Sequence, residues 1–271
     1  MLNTRLVRNQ DAEFQFEVMG HLIQQFGPPP RPPVPSPLHK TQGFEKLSLT
    51  ETATRSVYNW AKDHFGEIKS SCNMSEYEAE IFPAGDRLNP GQLSATRRLE
   101  ALAAGHMPYH NAAAKPIFYD PRECTEPGHF AAEVILQLAE LRLTGFRSKS
   151  DVSTHMPRMA TLIAAVYNRQ GFVLANLPRD VSAYLTTADD TRAVSHRVII
   201  NAVCFATCLA LRVRRQSTEQ IIGTYGTRMT KSLRRKIHQA CRQIDMDVEG
   251  LGVLQMLSDR KAMPQMRRFS A

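Results

Sequence analysis

An apolar residue returns at every third or fourth position in one stretch of this chain after another, and no run alternates apolar with polar. That spacing lays apolar side chains along one stripe of an α-helix, where two-residue alternation would have marked a strand. A stripe of this kind must be buried against another, so the expected fold is all-α, helix packed on helix, with about nine helices and no sheet.

The stripes and their stops order the chain. Asp11 is placed to cap a first helix bearing Phe14, Val18, Leu22 and Phe26, and Gly27-Pro28-Pro29-Pro30 stops it. Seven of the eleven residues 27–37 are Pro, which makes a stiff polyproline-like strap. No basic-aromatic context marks it as a recognition ligand, so it reads as a connector. A helix from Thr50 carries Val57, Trp60 and Phe65. Ser75–Glu78 form a capping box, and Asn89-Pro90 open a helix through Leu102 to Gly105. Phe130, Val134, Leu138 and Leu141 stripe a helix over 127–144. Asp151 caps the next, with Met159, Leu162, Ile163 and Val166 inward and Gly171 as its stop. Pro178 begins a short helix, and Asp189-Asp190 precede an apolar helix over 191–213. The capping box Ser217–Gln220 opens one long helix through Ile221, Tyr225, Met229, Leu233, Ile237 and Ile244, and a short last helix runs from Val248 to Leu257. The breaks divide the chain into an N-terminal domain 1–110, a middle domain 111–190 and a C-terminal domain 191–271.

Charge is concentrated in the last of these. Residues 191–244 hold nine Arg and two Lys against one acid, Glu219, a net +10 where the whole chain is +8. The remainder therefore sums to −2. Few Glu residues stand four positions from these cations, so they do not form the ion-pair lattice of an ordinary surface helix. A segment so basic points to a polyanion: nucleic acid or an anionic membrane face. The candidate contact residues are Arg212, Arg214 and Arg215, then Arg228, Lys231, Arg234, Arg235, Lys236 and Arg242. On a continuous helix Arg228, Lys231, Arg235, His238 and Arg242 share one stripe beside the apolar one.

Composition limits the setting. A hydrophobic content of 42% is ordinary for a globular chain. The opening residues hold no apolar leader, and no signal peptide is expected. The longest apolar run, Val198–Leu211, is 14 residues. As a helix it rises about 21 Å, short of a ~30 Å hydrocarbon core, so membrane contact is expected to be peripheral. Five scattered Cys suggest a reducing compartment, with Cys204 and Cys208 as packed core thiols one turn apart. No Walker loop, nucleophile elbow or zinc-protease motif is present, and His106, His110, Cys124 and His129 match no standard zinc spacing. Neither catalysis, nor a metal, nor a cofactor is expected.

Four segments, in order, carry a resemblance. Thr96-Arg97-Arg98-Leu99-Glu100-Ala101-Leu102 is similar to the arginine-rich helix that begins the middle portion of orthomyxovirus (influenza-type) matrix proteins. Tyr167-Asn168-Arg169-Gln170-Gly171 resembles their Tyr-Asn-Arg-Met-Gly signature. His196–Asn201 with Ser217–Gln220 resembles their first C-domain helix and the turn after it, and Gln265–Phe269 resembles their terminus. The likeness covers about the last two-thirds of the chain; the added length and the strap suggest the thogotovirus branch. It departs where the family has a basic import patch, here Leu138-Ala139-Glu140-Leu141-Arg142, and in lacking the family's Cys-Cys-His-His set.

The resemblance implies a non-enzymatic viral matrix protein. Such a protein self-associates into a layer beneath the envelope and contacts the anionic inner leaflet on one side and viral ribonucleoprotein or RNA on the other. It would be found in the virion, in host cytoplasm and at the inner face of the plasma membrane. Lys231-x-x-Arg234-Arg235-Lys236 would add the nucleus if it acts in import. The alternative reading of the residues is an all-helical nucleic-acid-binding regulator.

Overall fold

The computed structural model describes residues 5–30, 81–83, 117–119, 134–136, 138–139, 143, 159–175, 196–226 and 229–268. The helices expected near residues 50–65, 89–105 and 178–185 lie outside them, and of the short helix expected from Ser75 to Pro83 only residues 81–83 are described, where the chain is a strand. Contacts divide the chain into two compact units, one of Met1–Pro35, Ala139–Asn176 and Ser195–Ala271, the other of Ser36–Leu138 and Leu177–Val194. This partition does not follow the sequential division into 1–110, 111–190 and 191–271. Breakers locate the ends of helices, but which stripes bury each other is decided by surface fit between distant segments.

The described residues are predominantly helical. The departure is a minimal one, in the second unit. Strands β1 (Ile81–Pro83) and β2 (Ile117–Tyr119) pair in parallel, with Ile81 opposite Ile117 and Pro83 opposite Tyr119. Three residues are too few for an alternating pattern to register in sequence. Pro83, which cannot donate to a ladder, stands at the strand's end. Residues 134–136 and 138–139 are helical, and Val134, Ile135, Leu136, Leu138 and Ala139 are buried.

Among the described residues of the first unit are seven α-helices: α1 (Asn9–Phe26), α2 (Met159–Ala165), α3 (Gly171–Ala175), α4 (His196–Val213), α5 (Thr218–Tyr225), α6 (Lys231–Asp245) and α7 (Val248–Arg268). At the centre is α4, packed against α1, α2, α3, α6 and α7. Its long apolar run is thereby explained, since a helix covered on most sides must be apolar on most sides. Val203, Cys204, Phe205, Cys208, Leu209 and Leu211 are all buried. Among the described residues no helix is long and apolar enough to cross a membrane.

Several boundaries differ from the sequence reading. Asp11 does not cap α1; Arg8 occupies the N-cap, and the buried Asp11 carboxylate in the first turn pairs with it at 2.9 Å. Gly27 does end α1, at φ 88°, where a side chain would be strained. Gly171, expected as a stop, is instead the first residue of α3, and the break falls just before it. There Val166–Gln170 form a π-turn in which Arg169 has φ 77°. Gly171 is required by packing: a Cβ there would overlap the Thr207 hydroxyl of α4.

The long helix expected from 218 to 244 is two helices. The Ser217/Gln220 capping box opens α5 as expected, but α5 ends at Tyr225, and Thr230 caps a new helix by accepting the Leu233 amide at 3.2 Å. Gly223 and Gly226 lower helix propensity at this point, and a Thr able to cap follows. The last helix, expected to end at Leu257, continues through Pro264 to Arg268. Ser258, the residue after the expected end, is buried within it.

Candidate polyanion-binding site

The sequence places nine cations in the candidate surface, and the structure divides them by what they touch. Helix α6 presents opposite faces. Leu233, Ile237, Ala240, Cys241 and Ile244 are buried, on an arc that packs against α4. Lys231, Arg234, Arg235, His238 and Arg242 are exposed on the other arc. At 100° per residue these five fall within about a third of the helix circumference. None of Lys231, Arg234, Arg235 and Arg242 is held in an ion pair among the described residues. The face carries no exposed apolar side chain, but it includes one acid: Asp245, exposed and paired with Arg212, falls within the same arc.

Of the cations outside this row, Arg212, Arg214, Arg215 and Lys236 make contacts within the fold. The Arg212 side chain, 15% exposed, is ion-paired with Asp245 and donates to the Gln216 carbonyl at 2.8 Å and to Thr218 Oγ1 at 3.2 Å. One guanidinium thus joins the end of α4, the start of α5 and the end of α6. Arg214 donates to the Pro29 carbonyl at 2.7 Å, fastening the beginning of the proline strap. Arg215 pairs with Asp259 of α7 at 2.8 Å. Lys236 lies off the row and donates to Asn201 Oδ1 of α4. Burial pushes its pKa down, with Cys204 acting in the other direction. Arg228 precedes α6 and lies outside the described residues.

Arg215 occupies an unusual place. The Gln216 amide donates to the Leu211 carbonyl at 3.1 Å and the Arg215 amide to the Arg212 carbonyl at 2.8 Å. This pair of bonds is the Schellman closure of a helix, whose left-handed residue is ordinarily Gly. Here it is Arg215, at φ 60°. The sequence offered no sign of it, because the residue type contradicts the conformation.

The basic row is rigidly mounted. Gln243, on the flank of α6, accepts the Leu6 amide at 2.9 Å and the Val7 amide at 3.2 Å through Oε1, and returns Nε2 to the Val7 carbonyl at 2.9 Å. Asn201 donates to the Leu6 carbonyl at 3.0 Å. The N-terminal arm is thereby tied across α4 and α6, beside the helix that carries the row. Cys204, Cys208 and Cys241 are buried free thiols between these two helices, as the one-turn spacing of Cys204 and Cys208 led us to expect of that pair. Among the described residues no group of His, Cys, Asp and Glu could hold a metal ion.

No protein-family model matches this chain, and no curated protein or solved structure matches it either.

Proposed function

We propose that this chain is a viral matrix-type structural protein. In this reading it assembles into a layer beneath an envelope, binding anionic membrane and ribonucleoprotein through the exposed face of α6. The observation that carries the reading is the row Lys231, Arg234, Arg235 and Arg242: exposed, unpaired among the described residues, and mounted on a helix whose other face is buried in the core. The segments similar to orthomyxovirus matrix proteins supply the layer and the envelope.

The exposed face has no apolar residue to enter the acyl region, so its attraction to a leaflet is electrostatic. Four cations at about 1 kcal/mol each give roughly 4 kcal/mol, weak for one copy and strong for many copies held together. The same face suits RNA phosphates, with the salt dependence that counterion release imposes.

Flotation with neutral and with phosphatidylserine-containing vesicles, at low and high salt, tests the reading beside an Arg234→Glu/Arg235→Glu variant. The expected result is binding to anionic vesicles alone, lost in high salt and in the variant. Absence of vesicle binding with salt-sensitive RNA binding would replace this reading with the nucleic-acid-binding regulator.

A further inference from the structure

A second surface of the same unit has the opposite character. An open groove of about 540 Å³ runs between α1 and α7, walled by Phe16, Val253, Leu254 and Leu257. Its rim is acidic: Glu17 comes from α1, and Asp247 and Glu249 from the start of α7. Asp247 and Glu249 are exposed. Asp247 also caps α7, accepting the Gly250 amide at 3.0 Å, which leaves its charge in place. His21 lines the groove too, and burial pushes its pKa down. The apolar character continues outward along α7. Val248 is 74% exposed, Val253 46% and Met256 54%.

An acidic rim repels an anionic leaflet and RNA alike. It fits a cationic protein surface whose side chains also have apolar length. Arg and Lys have both, a methylene stem to lie on an apolar wall and a charged head to reach a carboxylate at its edge. The exposed row of α6 is such a surface; Arg242 stands only three residues before Asp245, but Arg234 and Arg235 lie about 15 Å or more along the helix from the groove of their own chain. Lys231 is separated from Asp245, the last residue before the turn into the groove, by about 21 Å of continuous helix.

We infer that the α1–α7 groove is the docking site for the basic face of α6 from a second copy of this chain. The two patches differ, so the contact is heterologous: each copy offers a row at one place and a groove at another, and the chain of contacts need not close. Guanidinium groups of Arg234 and Arg235 meet the rim carboxylates, and their stems cover the walls between Phe16 and Leu257; a docked row is closed to lipid and RNA, so the proposed membrane contact belongs to rows left undocked. The inference rests on the reading of the protein as an assembling one and names the surfaces that assemble.

Sedimentation velocity of the full chain at low salt tests it, with two variants checked by circular dichroism for native helix content. Glu249→Lys alters the groove and Arg235→Glu the row. The wild type is expected to associate with rising concentration, and each variant to associate about 10-fold or more weakly, as like charges are brought together. An equimolar mixture of the two variants is expected to form a one-to-one dimer and to extend from it, because each retains the surface the other lacks and their two altered surfaces carry opposite charges. The doubly substituted chain, with its charges exchanged, is expected to regain assembly.

Wild-type assembly unchanged in both variants, or a mixture that forms no dimer, overturns the groove assignment. In that event the layer-forming reading stands, since Glu249→Lys leaves the vesicle-binding row intact and its flotation reports that row separately. A wild type that stays monomeric overturns both. A monomeric chain that captures an arginine-rich peptide, and loses it on Glu249→Lys, overturns the second copy as occupant in favour of a basic segment of another protein.

Discussion

The guanidinium of Arg212 and the carboxylate of Asp245 join the end of one helix to the end of another across 33 positions of sequence. A cation that composition assigns to polyanion binding is in this way consumed by the fold. Arg212→Met is expected to remove this pair and two further hydrogen bonds, destabilising the unit by about 2 kcal/mol. Arg235→Ala, at an exposed position, is expected to change stability by less than about 0.5 kcal/mol. Urea unfolding measures both. Vesicle binding at a temperature where both are folded should show the reverse order, weakened in Arg235→Ala and kept in Arg212→Met.

Arg215→Gly is expected to stabilise the protein by about 0.5–1 kcal/mol. It relieves a left-handed side chain at φ 60°. What it gives up is the ion pair with Asp259, whose side chains are 65% and 59% exposed and whose contribution is correspondingly small. A fall in thermal midpoint on this substitution would mean that the Asp259 contact outweighs the backbone relief.

Gly171→Ala is expected to destabilise by about 1–3 kcal/mol, because the added methyl overlaps the Thr207 side chain. Thr207→Ala in the same chain should recover part of that loss by clearing the space. A double-mutant cycle in denaturant reads the recovery as a coupling between the two positions.

Burial pushes the Cys204 thiol up to about 12, with the Lys236 charge pulling weakly the other way. The thiol form is favoured in the folded chain, so the unfolded chain holds fewer protons once pH passes the ordinary thiol value of 9.0. Stability from this group is complete below that pH and is lost progressively as pH rises toward about 12. Cys204→Ala should flatten the alkaline fall in stability, measured by denaturant unfolding across that range. A slope unchanged by the substitution would place the alkaline sensitivity elsewhere.

Much of the helical framework could be read directly from residue spacing. The α5 capping box, the inward residues of α6 and the exposed arc that carries its cations all follow from period and cap chemistry, which are local. The partners of Arg212, Arg214 and Arg215 were not legible, because Asp245, Pro29 and Asp259 reach them only through the packing of distant segments. Gly171 misled for a related reason. A Gly at the end of a stripe ordinarily serves a cap, whereas this one makes room for Thr207 on another helix. The break between α5 and α6 was hidden because the apolar period runs across it through Tyr225 and Met229. Only the pairing of weak helix formers at Gly223 and Gly226 with a Thr at 230 marks it.

The packing of α1 against α7 and α4 also sets an order of events during synthesis. The apolar stripe of α1, with Val18, Met19, Leu22 and Ile23 fully enclosed in the finished unit, leaves the ribosome first. The helices that cover it begin at Met159, His196 and Val248. At about 5–20 residues per second, the stripe stays uncovered for on the order of ten seconds or longer. The nascent chain must be sheltered through that interval, and the unit closes only when nearly the whole chain has been made. A nonsense change anywhere before α7 therefore releases a sticky fragment rather than a smaller working domain.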